Sequence, residues 1–259
     1  MKILFIGDII GKLGRKVCAK ALPDIKKEHK PDLIIANGEN SSHGYGITEK
    51  VYLELLSMGI DVITMGNHVW DKKDLLKDID KFPLIVRPAN YPPGVPGKDH
   101  LIVEKNGVKI AVTNVSGRTF MPALDCPFQA MEKLVPSLKQ QARIVIVDIH
   151  AEATSEKCAL GWFLDGQASA VVGTHTHVQT ADERILPTGT AFISDIGMCG
   201  ARDSIIGMKR EPIIKRFVTQ IPERFEPAEE EPGLFNAVLI SVNPISGMAK
   251  EIKRINITT

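Results

Sequence analysis

Five times along this chain an unbroken or nearly unbroken apolar run ends abruptly in a polar group of metal-binding type. Residues 3–6 run into Gly7-Asp8, 33–36 lead to Gly38-Glu39-Asn40, and 62–65 stop at Gly66-Asn67-His68. Residues 144–149 deliver His150, and 170–172 lead to Gly173-Thr174-His175-Thr176-His177. Short apolar runs bounded by glycine and polar residues predict buried strands. Between the first three lie helical patterns: Leu13, Val17 and Ala21 recur every four residues, and a helix starting at Thr48 carries Val51, Leu55 and Leu56. Strand, helix, strand, helix, strand predicts a parallel sheet with right-handed crossovers. Ligands on such sheets gather at the carboxyl ends of the strands, where Asp8, Glu39 and Asn67 fall.

The middle of the chain reads differently. Tyr91-Pro92-Pro93-Gly94-Val95-Pro96-Gly97 predicts a rigid loop, and Lys105-Asn106-Gly107 between apolar runs predicts a hairpin with antiparallel strands. Further on, Leu186-Pro187-Thr188-Gly189 turns into a strand at 191–193, and strands near 235–242 and 248–257 flank a turn at 244–247. The acidic, proline-containing stretch 226–232 reads as a solvated loop. No internal repeat or low-complexity tract is visible.

The totals narrow the class. A length of 259 residues with 44% hydrophobic content favours one α/β domain with a sizeable core. With 32 basic and 31 acidic residues the net charge is +1, which speaks against a general nucleic-acid-binding polyelectrolyte. Cys18, Cys126, Cys158 and Cys199 form no CxxC pair, as expected of a reducing cytoplasm. The N-terminal apolar stretch is too short for a signal-peptide core or a membrane span, so a soluble, unprocessed protein is expected.

A hydrolytic metal pair needs hard anionic oxygens to hold and bridge two cations, with neutral imidazoles completing the ligand set. Asp8 and Glu39 supply carboxylates, Asn40 and Asn67 amide oxygens, and His150, His175 and His177 imidazoles. Gly66 and Gly173 precede their ligands as expected where backbone turns sharply off a strand. His175-x-His177 is the most specific element, because alternate residues of an extended segment face one side. Taken singly, each group has a plainer reading: Asp8 as a turn or cap residue, Asn67-His68 as a turn, His150 as a buried histidine satisfied by a carbonyl. Five strand ends presenting such groups together, in a chain with seven histidines, make coincidence the weaker account. His29 and His100 read as ordinary helix-end and strand-start residues. His43, close behind Glu39-Asn40, is a candidate for the substrate side.

These blocks, Asp8, Gly38-Glu39-Asn40, Gly66-Asn67-His68, His150 and Gly173-x-His175-x-His177, resemble the ordered signature of the calcineurin-like metallophosphoesterases. Two departures stand out: Ile10 replaces the usual histidine two residues after the first aspartate, and Gly38-Glu39-Asn40 replaces the usual Gly-Asp block. Together with Gly7-Asp8-Ile9-Ile10-Gly11 and the segment from His150 to Lys157, they resemble the bacterial YmdB branch over nearly the whole chain. The resemblance implies one domain over residues 1–259, built as an α/β four-layer αββα sandwich of two mixed sheets flanked by helices. It implies two divalent or mixed-valence metal ions, iron first and manganese second, and hydrolysis of a small-molecule cyclic nucleotide phosphodiester. Asp8, Glu39, Asn40 and His177 would hold one metal, and Glu39, Asn67, His150 and His175 the other. Asn40 for the missing imidazole makes the first site harder, favouring iron or manganese over zinc.

Such a pair lowers the pKa of water so that hydroxide attacks phosphorus near neutral pH. His68, beside Asn67, is the candidate general acid for the leaving alkoxide, and the resemblance implies the same role. A phosphomonoesterase or nuclease would use the same centre, and a non-catalytic nucleotide-binding regulator is the rival from another class. A P-loop fails because Leu13 stands where the magnesium-binding hydroxyl belongs, and a dinucleotide fold fails because Gly11-x-x-Gly14 lacks the first glycine. Loops 116–126 and 196–208 are candidates for the pocket lining or for the interface of a homo-oligomer.

Overall fold

The computed structural model describes all 259 residues. In chain order the elements are β1 (Lys2–Ile6), β2 (Asp8–Ile9), α1 (Gly11–His29), β3 (Leu33–Asn37), α2 (Glu49–Ser57), β4 (Val62–Thr64), α3 (Lys73–Asp78) and β5 (Ile85–Val86). Then follow β6 (His100–Lys105), β7 (Val108–Ser116), α4 (Pro127–Gln141), β8 (Ile144–His150), α5 (Thr154–Phe163) and β9 (Ala170–Thr174). The chain ends with β10 (Arg184–Ile185), β11 (Ala191–Ile193), β12 (Met198–Ala201), α6 (Arg210–Thr219), β13 (Gly233–Val242) and β14 (Ala249–Thr258).

Two mixed sheets result. The larger runs β2-β12-β13-β1-β3-β4-β5, with β14 on β13, and the smaller runs β10-β11-β9-β8-β7-β6. The expected parallel order of the first half is present: β1, β3, β4 and β5 lie parallel in sequence order. The hairpin at Asn106-Gly107 is present too, with both residues at positive φ, 53° and 74°, as a type I′ turn requires. The chain then reverts, since β7, β8 and β9 are parallel.

Strand alternation sorts the side chains into layers. On β1, Leu4 and Ile6 pack with Val17 of α1 and Leu55 of α2, whereas Ile3 and Phe5 face the core between the sheets. On β8, Ile144 and Ile146 face that same inner core, while Val145, Val147 and Ile149 meet Val135 of α4 and Leu160 of α5. Helix, sheet, sheet and helix therefore stack with three apolar cores between them. The αββα sandwich of two mixed sheets is the observed architecture.

Helix α2 starts where Thr48 predicts, its hydroxyl accepting from Val51 N at 3.4 Å. Some boundaries shift: the strand expected at 62–65 stops at Thr64, and the last two strands are longer than or displaced from their expected ranges. The stretch 226–232 is only partly solvated, because Pro227 packs close to Gly11 and Gly44. No helix is long and apolar enough to cross a membrane.

Candidate metal centre

The inner faces of the two sheets change character at the carboxyl ends of the strands. Parity places Asn37 on the inner side with Leu33 and Ile35, Thr64 with Val62, and Asp148 and His150 with Ile144 and Ile146. Buried polar groups need partners, and Asp148 organises them. Its carboxylate accepts from Thr64 Oγ1 at 2.6 Å, Thr174 Oγ1 at 2.7 Å and Asn37 Nδ2 at 3.4 Å. Burial pushes the Asp148 carboxyl up to about 6 against the pull of His150. Thr174 gives its hydroxyl proton to Asp148, so His150 Nδ1, 2.8 Å away, donates to Thr174 Oγ1. That leaves His150 Nε2 to face the centre.

Around that nitrogen lie Glu39 Oε1 at 2.9 Å, His175 Nδ1 at 3.0 Å and Asn67 Oδ1 at 3.1 Å. A second group lies on the other side of Glu39. Asn40 Nδ2 is 3.2 Å from His177 Nε2, 3.3 Å from Asp8 Oδ1 and 3.4 Å from Glu39 Oε1, and His177 Nε2 is 3.6 Å from Asp8 Oδ1. Metal–ligand bonds of about 2.0–2.2 Å set adjacent donors roughly 2.8–3.6 Å apart around a tetrahedral or octahedral ion. Both groups fall within that range, so the donor set fits two cations with Glu39 between them. A half-turn of the Asn40 amide exchanges its nitrogen for its oxygen at the same place.

The electrostatics are those of charges packed for a cation. Burial opposes ionisation of Asp8 and Glu39, yet His177 beside the first and His150 beside the second hold both carboxyls below their ordinary values. His177 itself, despite burial, is pushed up to about 9 by Asp8. Burial and the His150 charge push His175 down to about 3.

The His175-x-His177 segment is not the extended strand that alternation suggested. His175 and His177 both have positive φ, 96° and 64°, so a left-handed turn rather than a pleat brings the two rings to the centre. Such a turn costs energy for non-glycine residues and persists only where its surroundings hold it. The hold is a buried ion pair: Lys157 Nζ lies 2.7 Å from Asp195 Oδ2, which also accepts from Thr176 Oγ1 at 2.6 Å and Thr176 N at 3.1 Å. Asp8 Oδ2 accepts from His175 N at 3.2 Å. Gly66 and Gly173, in turn, do not have positive φ. They are needed for close approach, because a Cβ on Gly66 would run into the His150 ring and Glu39 Oε2, and one on Gly173 into the Ser194 carbonyl.

His68 stands at the rim. Its backbone N–H donates to Glu39 Oε2 at 3.0 Å, its Nδ1 is 2.7 Å from Asp71 Oδ2, and Tyr45 meets its ring edge-on at 5.0 Å between centroids. A cavity of about 460 Å³ opens here, lined by Glu39, Asn40, His68, His175 and His177 at one side and by apolar residues of 205–225 at the other. Of the two loops proposed as pocket lining, 196–208 contributes Ile205, Ile206 and Met208, whereas Asp125 and Cys126 of the other border a separate cavity. His43 is exposed and borders an adjoining cavity.

Sequence reasoning missed Asp71, Asp148, Lys157 and Asp195. Asp71 was within reach, three residues after His68. The others bear on the centre only through pairings between distant segments. Glu152, 3.2 Å from His175 Nε2, was also passed over.

The sequence profile of the YmdB-like protein family matches residues 4–255. A Bacillus subtilis protein described as a 2',3'-cyclic-nucleotide 2'-phosphodiesterase is 52% identical over 98% of this chain and 96% of its own. Among solved structures, a hypothetical protein from Thermus thermophilus superposes with a TM-score of 0.93 at 41% identity, covering 100% of this chain and 99% of that one. A phosphatase from Mycoplasma pneumoniae gives the same TM-score, 0.93, at 37% identity over 100% and 93% of the two chains.

Proposed function

The chain belongs to the YmdB-like family, and from that premise we propose that it is a metal-dependent phosphodiesterase acting on cyclic nucleotides. The observation that carries the reading is the donor set gathered around Glu39 at ligand-to-ligand separations of 2.9–3.6 Å. Asp8, Glu39, Asn40 and His177 would hold one cation, and Glu39, Asn67, His150 and His175 the other, with iron favoured and manganese second. When bound, the cations supply charge to offset the phosphoryl oxygens and make water acidic enough to act as nucleophile near neutral pH.

The remaining work falls to side chains. Asp71 Oδ2 accepts from the Nδ1–H of His68 and so fixes the ring, and it is the imidazolium form, with a second proton on Nε2, that can act as the acid. From there the proton passes to the leaving ribose oxygen, a step worth roughly 10²–10⁴-fold in rate. Tyr45 limits rotation of the ring. Thr174 and Asp148 keep His150 in the tautomer whose Nε2 faces the centre, and Ile206 O does the same for His177, accepting from its Nδ1 at 2.8 Å.

The test is elemental analysis of the purified protein and of His68→Ala, followed by a diester panel on the same samples. His68→Ala should retain its metal, lose most turnover of cyclic nucleotides, and spare a nitrophenyl diester, whose leaving group needs no proton. Equal loss on both substrates would reject the acid role. Metal-replete parent protein that hydrolyses phosphomonoesters alone would reject the phosphodiesterase reading.

A further inference from the structure

The centre described above accounts for only one side of its cavity. The opposite side is built from Ile205, Ile206, Met208, Ile213, Phe217 and Phe225, with Tyr45 at the junction. In a chain where only 5% of residues are aromatic, three rings border this one cavity. Phe217 is 74% exposed on α6, leaving a large ring in water beside a polar centre. The Arg216 guanidinium lies over Phe225, its Cζ 5.0 Å from the ring centroid, which steadies that ring.

Ile206 joins the two sides. It has φ 48°, a left-handed conformation that a β-branched side chain rarely adopts. Its carbonyl holds His177 while its side chain joins the apolar wall. Wall and centre thus share one residue, Ile206, on a strained loop, the kind of strain that persists at ligand sites. At about 460 Å³ the cavity lies within the range of small-ligand sites.

We propose that this wall, chiefly Phe217, Phe225 and Ile206, is the nucleobase subsite, on which the base of the nucleotide stacks. The proposal rests on the phosphodiesterase reading of the same site. A planar base has an apolar face that stacks on aromatic rings whatever its edge, and such stacking is sequence-tolerant. Ile205, Ile206, Met208, Ile213, Phe217 and Phe225 offer rings, aliphatic groups and a thioether but no charged or amide side chain to read a base edge. It therefore selects for the presence of a base and not for its identity.

The experiment compares manganese-loaded parent, Phe217→Ala and Phe225→Ala on adenosine 2',3'-cyclic phosphate and on ribose 2',3'-cyclic phosphate. The same samples are titrated calorimetrically with adenosine 3'-phosphate and ribose 5-phosphate. Each variant should lower kcat/KM on the nucleotide about tenfold, through KM, and leave the base-free diester unchanged. The parent should bind adenosine 3'-phosphate about tenfold more tightly than ribose 5-phosphate, and the variants should lose that preference. Equal loss on both diesters, or none on either, overturns the proposal. Should the parent hydrolyse neither diester, the phosphodiesterase reading falls and the titration decides: a preference that the variants lose upholds the base wall, and no preference overturns it.

Discussion

Replacing Lys157 with methionine tests what holds the two histidines of the left-handed turn. The Lys157 side chain is 2% exposed, so its ammonium has Asp195 and Thr176 as partners in place of water. Methionine keeps most of the volume and removes the charge, leaving the Asp195 carboxylate buried without a counter-ion. Breaking one side of a buried pair costs about 3–5 kcal/mol. Asp195 keeps donors from Thr176 Oγ1 at 2.6 Å, Thr176 N at 3.1 Å and Gly197 N at 2.8 Å, which places the loss at the lower end. A loss of about 3 kcal/mol corresponds to a fall in Tm of roughly 6–12 °C for a chain of this size. Urea and thermal unfolding should be followed on metal-stripped protein, because a bound cation adds stability by mass action. Adding Asp195→Asn to Lys157→Met should recover a large part of the loss, since a neutral amide needs no counter-ion and the two sites are coupled. Because Thr176 sits between His175 and His177, Lys157→Met should also weaken metal binding, by about 10–100-fold. A variant within about 0.5 kcal/mol of the parent, or single changes that merely add, would refute the reasoning.

Other perturbations probe other parts of the centre. Gly66→Ala puts a methyl into the His150 ring and Glu39 Oε2, so the ring must retreat by roughly 1 Å; folding should survive while metal content falls. Asp71→Asn should keep the metal content and lower kcat on cyclic nucleotides roughly tenfold, less than His68→Ala, because the ring loses its orientation but not its proton. Away from the centre, burial works against the Asp182 carboxylate, but bonds from Thr180 Oγ1 and Ser194 N hold its pKa below the ordinary 3.8. A depressed folded pKa means that the stabilisation is complete above the unfolded value and is lost as pH falls through the folded one. Asp182→Asn should therefore lower Tm at pH 7 and flatten its dependence on acid, and an unchanged acid limb would count against those bonds.

Much of the fold was legible along the chain because its strands are short, apolar and bounded by glycine. Runs such as 3–6 and 33–36 are covered on both faces, and burial on both faces is what makes a strand visible as an unbroken run. Helices α3, α4, α5 and α6 were missed; α4 opens at Pro127 and carries Pro136 inside, which masks its helical pattern. All eight proposed site residues lie at or just beyond strand ends that the structure gathers at one edge of the two sheets. Two reasons behind those choices were wrong. The glycines serve close packing, and the histidines take the strained backbone that had been assigned to the glycines.

The sequence by itself determined which groups are available and that strands would carry them to one edge, because side-chain type and hydrophobic period are local properties. Asp148 reaches His150 through Thr174, Lys157 reaches Thr176 both directly and through Asp195, and Ile206 holds His177 across 29 residues of chain. Only the tertiary structure decided those pairings, and with them ring tautomers, charges and the apolar wall. Hydrogen bonds and pKa values depend on distance in space, and distance in space between remote segments is set by how the two sheets pack.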